Sequence, residues 1–347
     1  MRMNYAASYA SGGMRVMTFS RRTIVGSLPL LLASARAHAQ SAGAAGTNWP
    51  ARPVRFIVPA AAGSAGDDVC RLVAQKLLER FGQPFVIVNQ PAAVGTLAIA
   101  DLARAVPDGY TVGQISTTTN VIAKLYNPEL SYDPVKNFAP LSLLGSSPYV
   151  LAVFPGLPAK NVAELVALAK TKKQPLSNAV FGTMSLGFLA SKLFEQKAGI
   201  KLNQIPYRSS AQAVLDVVAG RVDMQFSTLP PAVPLIRTRK LRALATTGAQ
   251  RFATLADVPT LAESGFPGFD VALWLAMVAP AGTPTAIVEK LNSALVSILA
   301  TDDMRAAMLR QSFVAASSSP DGLAKRIAAD MDKWRGLVAA SAGQAKP

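Results

Sequence analysis

The stretch with the most chemical potential lies between Pro59 and Leu78. There an apolar run, Val54–Val58, gives way to the small residues Ala60–Gly66, and an amphipathic helical pattern follows. Such a turn leaves main-chain N–H groups at a helix N-terminus, where an anion can sit. The same residues also make a plain strand-to-helix turn with Asp67 as its cap. No Gly-Lys-Ser/Thr follows and no Gly-x-Gly-x-x-Gly is present, which disfavours nucleotides. Three more turns share the pattern: Gly182, Thr183 and Ser185 before a helix, Ser116 to Thr119 after a strand, and Ser227 with Thr228 before a Pro-started helix. Ser and Thr are ordinary caps, so each turn alone reads first as a cap. Four such strand ends together are expected to converge, because open α/β sheets bind ligands beyond the carboxyl ends of their strands.

The inventory for covalent chemistry is poor. The single His, His38, falls in a leader, so the remainder lacks an imidazole for a Ser-His dyad or a His-ligated metal. Gly-x-Ser-x-Gly is absent, and Cys70 sits inside a helical pattern with no imidazole partner, as a buried small hydrophobe would. Asp67 and Asp68 are adjacent on a helix and do not face each other. No catalytic residue, metal ligand or cofactor is therefore expected, although catalysis by Asp, Lys or Tyr stays formally open. One Cys also excludes an internal disulfide.

The elements that would hold these turns alternate strand and helix from Trp49 onward, which implies βαβ units around mostly parallel sheets. Leu141–Pro155 and Asp270–Pro280 break the alternation as long apolar extended stretches. As crossings between two lobes they would divide the chain into residues 49–147 plus 271–347 and residues 148–270. Asn161 with Glu164 marks a helix start, Thr283 is expected to cap a helix opening at Pro284, and helices are expected over 302–311 and 321–340.

Residues 1–39 read as a leader: a basic front, a short apolar core over 24–35 and a small-x-small exit at Ala37-His38-Ala39. That is a secretory signal peptide cut after Ala39, by the Sec or twin-arginine route, releasing a periplasmic protein. The formal charge is +15, and the leader holds five of the arginines and no acid. The remaining cations are scattered, the one cluster (Arg237, Arg239, Lys240, Arg242) is short, and no nucleic-acid motif appears. A solvated basic surface that attracts acidic solutes is the expectation, with no nucleic-acid partner.

Several longer stretches resemble one family, the periplasmic solute receptors of tripartite tricarboxylate transporters, also called the Bug family. They are "WPARPVRFIVPAAAGSAGDDVCRLVAQKL", "PDGYTV", "YDPVKNFAPLSLL", "LPAKNVAELVALAK", the run from Ile205 to Arg251, "DVPTLAESGFPGFD" and "WLAMVAPAGTP". The resemblance implies a two-lobed, type II-like periplasmic-binding-protein fold, α/β, with two mixed or parallel sheets joined by two crossing strands. It implies a hinged, monomeric receptor that captures a small organic carboxylate and delivers it to membrane transporter subunits. A sensory receptor for a membrane kinase would use the same pocket, and a periplasmic hydrolase or lyase is the alternative from another class.

On this resemblance the carboxylate is expected on the main-chain donors of Ala61, Ala62, Gly63 and Ser64, beside Asp67, and of Gly182, Thr183, Met184 and Ser185. Ser116, Thr117, Ser227 and Thr228 are the expected side-chain donors. Trp274 is expected either to line the cleft or to join the core. Where the family has an aromatic and a second proline in its first loop this chain has alanines, and Phe188 stands where a His is common. These exchanges remove polar groups, so the expected ligand is an aromatic or alkyl carboxylate, less polar than citrate or glutamate.

Overall fold

The computed structural model describes residues 48–342 apart from Thr183, Met184 and Arg208; the expected leader lies outside the described residues. Strands β1 (Val54–Val58), β2 (Phe85–Asn89) and β3 (Thr111–Ser116) are parallel, with β1 between the other two. Helix α1 (Ala65–Phe81) joins β1 to β2, and α2 (Thr96–Arg104) joins β2 to β3. The 16-residue β4 (Phe138–Val153) is the spine. Up to Pro148 it pairs antiparallel with β9 (Ala272–Pro280), and from Tyr149 it pairs antiparallel with β7 (Met224–Thr228). β8 (Arg242–Thr246) and the two-residue β10 (Val314–Ala315) also add to β4. β5 (Leu176–Phe181) lies parallel to both β7 and β6 (Leu202–Tyr207). The result is a single mixed ten-stranded sheet, eight strands in the order β2-β1-β3-β9-β4-β7-β5-β6 with β8 and β10 attached at β4. β9 stays on the first side, and the chain returns to it through Thr247–Val271 instead of along a second shared strand.

Local signals account for the helices. Asn161 accepts the Glu164 N–H at 2.8 Å and Glu164 accepts the Lys160 N–H at 2.7 Å, which starts α3 (Val162–Thr171). α4 (Leu186–Ala198), α5 (Ser210–Val218) and α6 (Leu229–Arg237) follow β5, β6 and β7. α7 (Thr285–Leu299), α8 (Asp302–Arg310) and α9 (Pro320–Ala342) close the chain. Thr283 does not cap α7: Pro284 holds the cap position, and the Thr283 hydroxyl donates to the Pro280 carbonyl at 2.8 Å. Among the described residues, no helix is long and apolar enough to cross a membrane.

Strand direction places the turns. β3 runs antiparallel to β9, and β9 antiparallel to β4, so β1 to β3 run the same way as β4. β7 runs against β4, and β5 and β6 run with β7. The carboxyl ends of the first three strands therefore face the carboxyl ends of β5, β6 and β7 across the point where β4 passes from one side to the other. Ser116 is level with Leu275 and Gly145, and Thr228 is level with Tyr149. That leaves three residues of β4 between them, a separation of ~13 Å along the strand.

Alternate residues of β9 feed different cores. Leu275, Met277 and Ala279 pack with Phe56, Val58, Val73 and Leu295 beneath α1 and α7. Trp274, Ala276 and Val278 pack on the other face, in a core that runs unbroken from Ile99 and Ile115 to Phe188, Phe194 and Phe226.

Candidate ligand-binding site

The β1–α1 turn is held by a buried carboxylate. Ser64, not Asp67, is the cap of α1: its hydroxyl accepts the Asp67 N–H at 3.4 Å. Asp67 is fully buried and accepts from the Gly63 N–H at 2.9 Å, the Arg71 guanidinium at 2.8 Å and the Asn89 amide at 2.8 Å. Asn89 also donates to the Ala60 carbonyl at 3.0 Å, which ties the end of β2 to the turn. Burial pushes the Asp67 carboxyl up, but the bonds from Arg71, Asn89 and Gly63 outweigh it and hold the group below its ordinary range. Asp67 thus positions the loop, and its oxygens face inward to these partners.

This arrangement changes which donors are open. The Gly63 N–H is bound to Asp67, and the Ser64 N–H turns back to the Ala61 carbonyl at 3.2 Å. Ala65 and Gly66, as the first two residues of α1, have no intrahelical acceptor for their N–H groups. Ala61 and Ala62 stand exposed beside them. The open donors shift from Gly63 and Ser64 towards the residues on either side.

Two of the other three turns are built as caps, and the third, at Thr228, has no side-chain cap bond. Ser116 and Thr119 exchange hydroxyl–amide bonds of 3.1 Å, which close a π-helical turn over Thr117–Ile122. The Thr117 hydroxyl is buried and accepts the Trp274 N–H at 3.2 Å. In the β5–α4 turn Gly182 sits at φ 66, which only glycine adopts freely, and the Ser185 hydroxyl accepts the Phe188 N–H at 3.2 Å. Thr183 and Met184 lie outside the described residues. Ser227 is buried and donates to the Thr228 carbonyl at 2.8 Å, so it is not a free donor. Thr228 is half-buried, and its hydroxyl lies 3.2 Å from that of Ser210.

The two aromatic candidates belong to the core. Phe188 and Trp274 are each 1% exposed, and the Trp274 indole N–H donates to Asp330 of α9 at 2.6 Å. Phe188 therefore adds no apolar surface to an open cleft.

Sequence reasoning expected Leu141–Pro155 to cross, and β4 does so; it missed what ties the crossing to the return segment. Thr247 accepts the Tyr149 N–H on its hydroxyl at 2.8 Å and donates that hydroxyl to the Val271 carbonyl at 2.5 Å. Its own N–H donates to the Tyr149 carbonyl at 2.9 Å, and its carbonyl accepts the Val271 N–H at 2.7 Å. One buried threonine stitches β4 to the return segment, and no local pattern marks it. Beside it lies a cavity of about 250 Å³ lined by Ala65, Gly66, Pro148, Tyr149, Thr228 and Pro231, with Leu275 and Phe313 behind. The Ala60–Gly66 turn, Thr228 and the double proline after it were the sequence signals that pointed there.

Comparison with known proteins agrees with this layout. Residues 69–342 match the family described as tripartite tricarboxylate transporter family receptor. The chain is 31% identical to BugT of Bordetella pertussis over 84% of its own length and 89% of that protein's. A Rhodopseudomonas palustris structure, Rpa4515 with adipate, superposes with a TM-score of 0.74 at 32% identity, covering 85% of this chain and 98% of that one. MatC from the same species, with bound malate, superposes at 0.70 with 31% identity, covering 84% and 100%. The opposed turns and the family match lead to one conclusion: this chain belongs to the tripartite tricarboxylate transporter family of receptors.

Proposed function

We propose that this receptor is exported, captures a small organic carboxylate between residues 49–147 with 271–347 on one side and residues 148–270 on the other, and hands it unchanged to membrane transporter subunits. The observation that carries this reading is the confrontation of strand carboxyl ends across the crossing at Ser147–Tyr149. Ends so arranged put helix N-termini from both sides against the same space, where a negative group is favoured. The N–H groups of Ala61, Ala62, Ala65 and Gly66 are the first donors for it, with Thr228 opposite. Adipate in Rpa4515 and malate in MatC support the ligand class. Closure about Thr247 would exclude water and strengthen those hydrogen bonds.

The test is a calorimetric and thermal-shift panel of organic acids, amino acids and neutral sugars on the purified chain lacking residues 1–39. Carboxylates should raise Tm, the tighter binders by more. Stabilisation by neutral solutes alone, or chemical change of a bound acid, would overturn the reading.

A further inference from the structure

The cavity beside the crossing is unlike the turns around it. No charged side chain lines it. Of its three hydroxyl-bearing residues, Ser147 reaches the Pro148 carbonyl at 3.4 Å, Thr228 lies 3.2 Å from Ser210, and Tyr149 carries a phenol. The other side chains of the wall are carbon: Pro148, Pro230, Pro231, Leu273, Leu275 and Phe313. Its rim at Ala65 and Gly66 directly follows the Ser64 cap, so the space opens beside the unbonded N–H groups that start α1.

We propose that this hollow is a chain-selecting pocket: it takes the apolar body of the ligand while the carboxylate stays at the start of α1. The inference rests on the receptor reading above and narrows its ligand class to carboxylates with an alkyl chain or aromatic ring. A second charge forced into this space would lose its water and find no charged side chain to pair with. A methylene there leaves water for carbon contact, worth about a fourfold gain in affinity. Short diacids therefore bind more weakly than longer or aromatic acids. Hinge slack, the other use for a void at a crossing, gives no chain-length preference.

Calorimetric titration of the purified chain with malate, linear C4–C8 α,ω-dicarboxylates and benzoate tests this. Affinity should rise severalfold as the chain lengthens, and benzoate should bind more tightly than malate. Two variants should move the long-to-short affinity ratio in opposite directions. A Cβ on Gly66 meets nothing within 4 Å, so Gly66→Leu enters open space and should lower the ratio at least tenfold. Phe313→Ala enlarges the hollow and should shift preference towards bulkier acids. Carboxylate binding with no chain-length trend, or a ratio unmoved by both variants, overturns the pocket and leaves the receptor reading intact. Failure of every carboxylate to bind overturns the receptor reading itself.

Discussion

The two faces of the crossing come from alternate residues of one strand yet end in opposite states. On the Trp274 face the core is continuous from the first group of strands to the second, and α9 is tied to it through Asp330. On the Leu273–Leu275 face the wall of α1 and the start of α6 do not meet, and a cavity remains. Period-2 alternation of the strand supplies both. The difference teaches that the crossing is firm on one side and open on the other.

The largest expected effect tests the firm side. Trp274→Ala should cost about 3–5 kcal/mol in urea unfolding, whereas Leu273→Ala on the open side should cost about 1 kcal/mol. Equal losses would break the contrast. Next comes the carboxylate that fixes the edge of the open side. Asp67→Ala strands the Gly63 N–H and the Arg71 and Asn89 donors, and should cost about 2–3 kcal/mol. Because the folded Asp67 carboxyl is depressed from its ordinary 3.8, its contribution is complete above about pH 4 and fades as pH falls through the folded value. An Asp67→Asn variant should lack that part of the acid limb.

Overpacking sharpens the contrast further. Ala276→Leu, on the filled face, should cost about 1–3 kcal/mol, while Leu275→Phe should stay within about 1 kcal/mol because it grows towards space. Differential scanning calorimetry of the two variants decides it. The smallest effect is expected from Gly63→Ala and Gly182→Ala, at about 1 kcal/mol each. Both sit at positive φ with nothing within 4 Å of an added Cβ, so backbone strain is the whole penalty. A larger loss at either site in ligand titration than in unfolding would mark that turn as part of the grip.

Much of the fold was legible in the residues. The alternation of strands and helices, the Asn161–Glu164 start of α3, the burial of Cys70 and the four Ser/Thr-rich strand ends all follow from signals within a turn or two of the chain. Their roles were less legible. Asp67 looked like a cap or a ligand contact and is a buried anchor, since its partner Asn89 sits 22 residues away. Phe188 looked like cleft lining and is core.

The sequence by itself determined where elements begin, which faces are apolar and that no imidazole or disulfide is available to the chain after residue 39, because those properties depend on residue type and short spacing. The tertiary structure alone decided which strands run against which, that Thr247 joins segments 98 residues apart, and that one face of β9 is filled while the other leaves a hollow at Leu273–Leu275. Pairings over such distances are set by strand direction and the packing of whole layers, and no local stretch of chain encodes them.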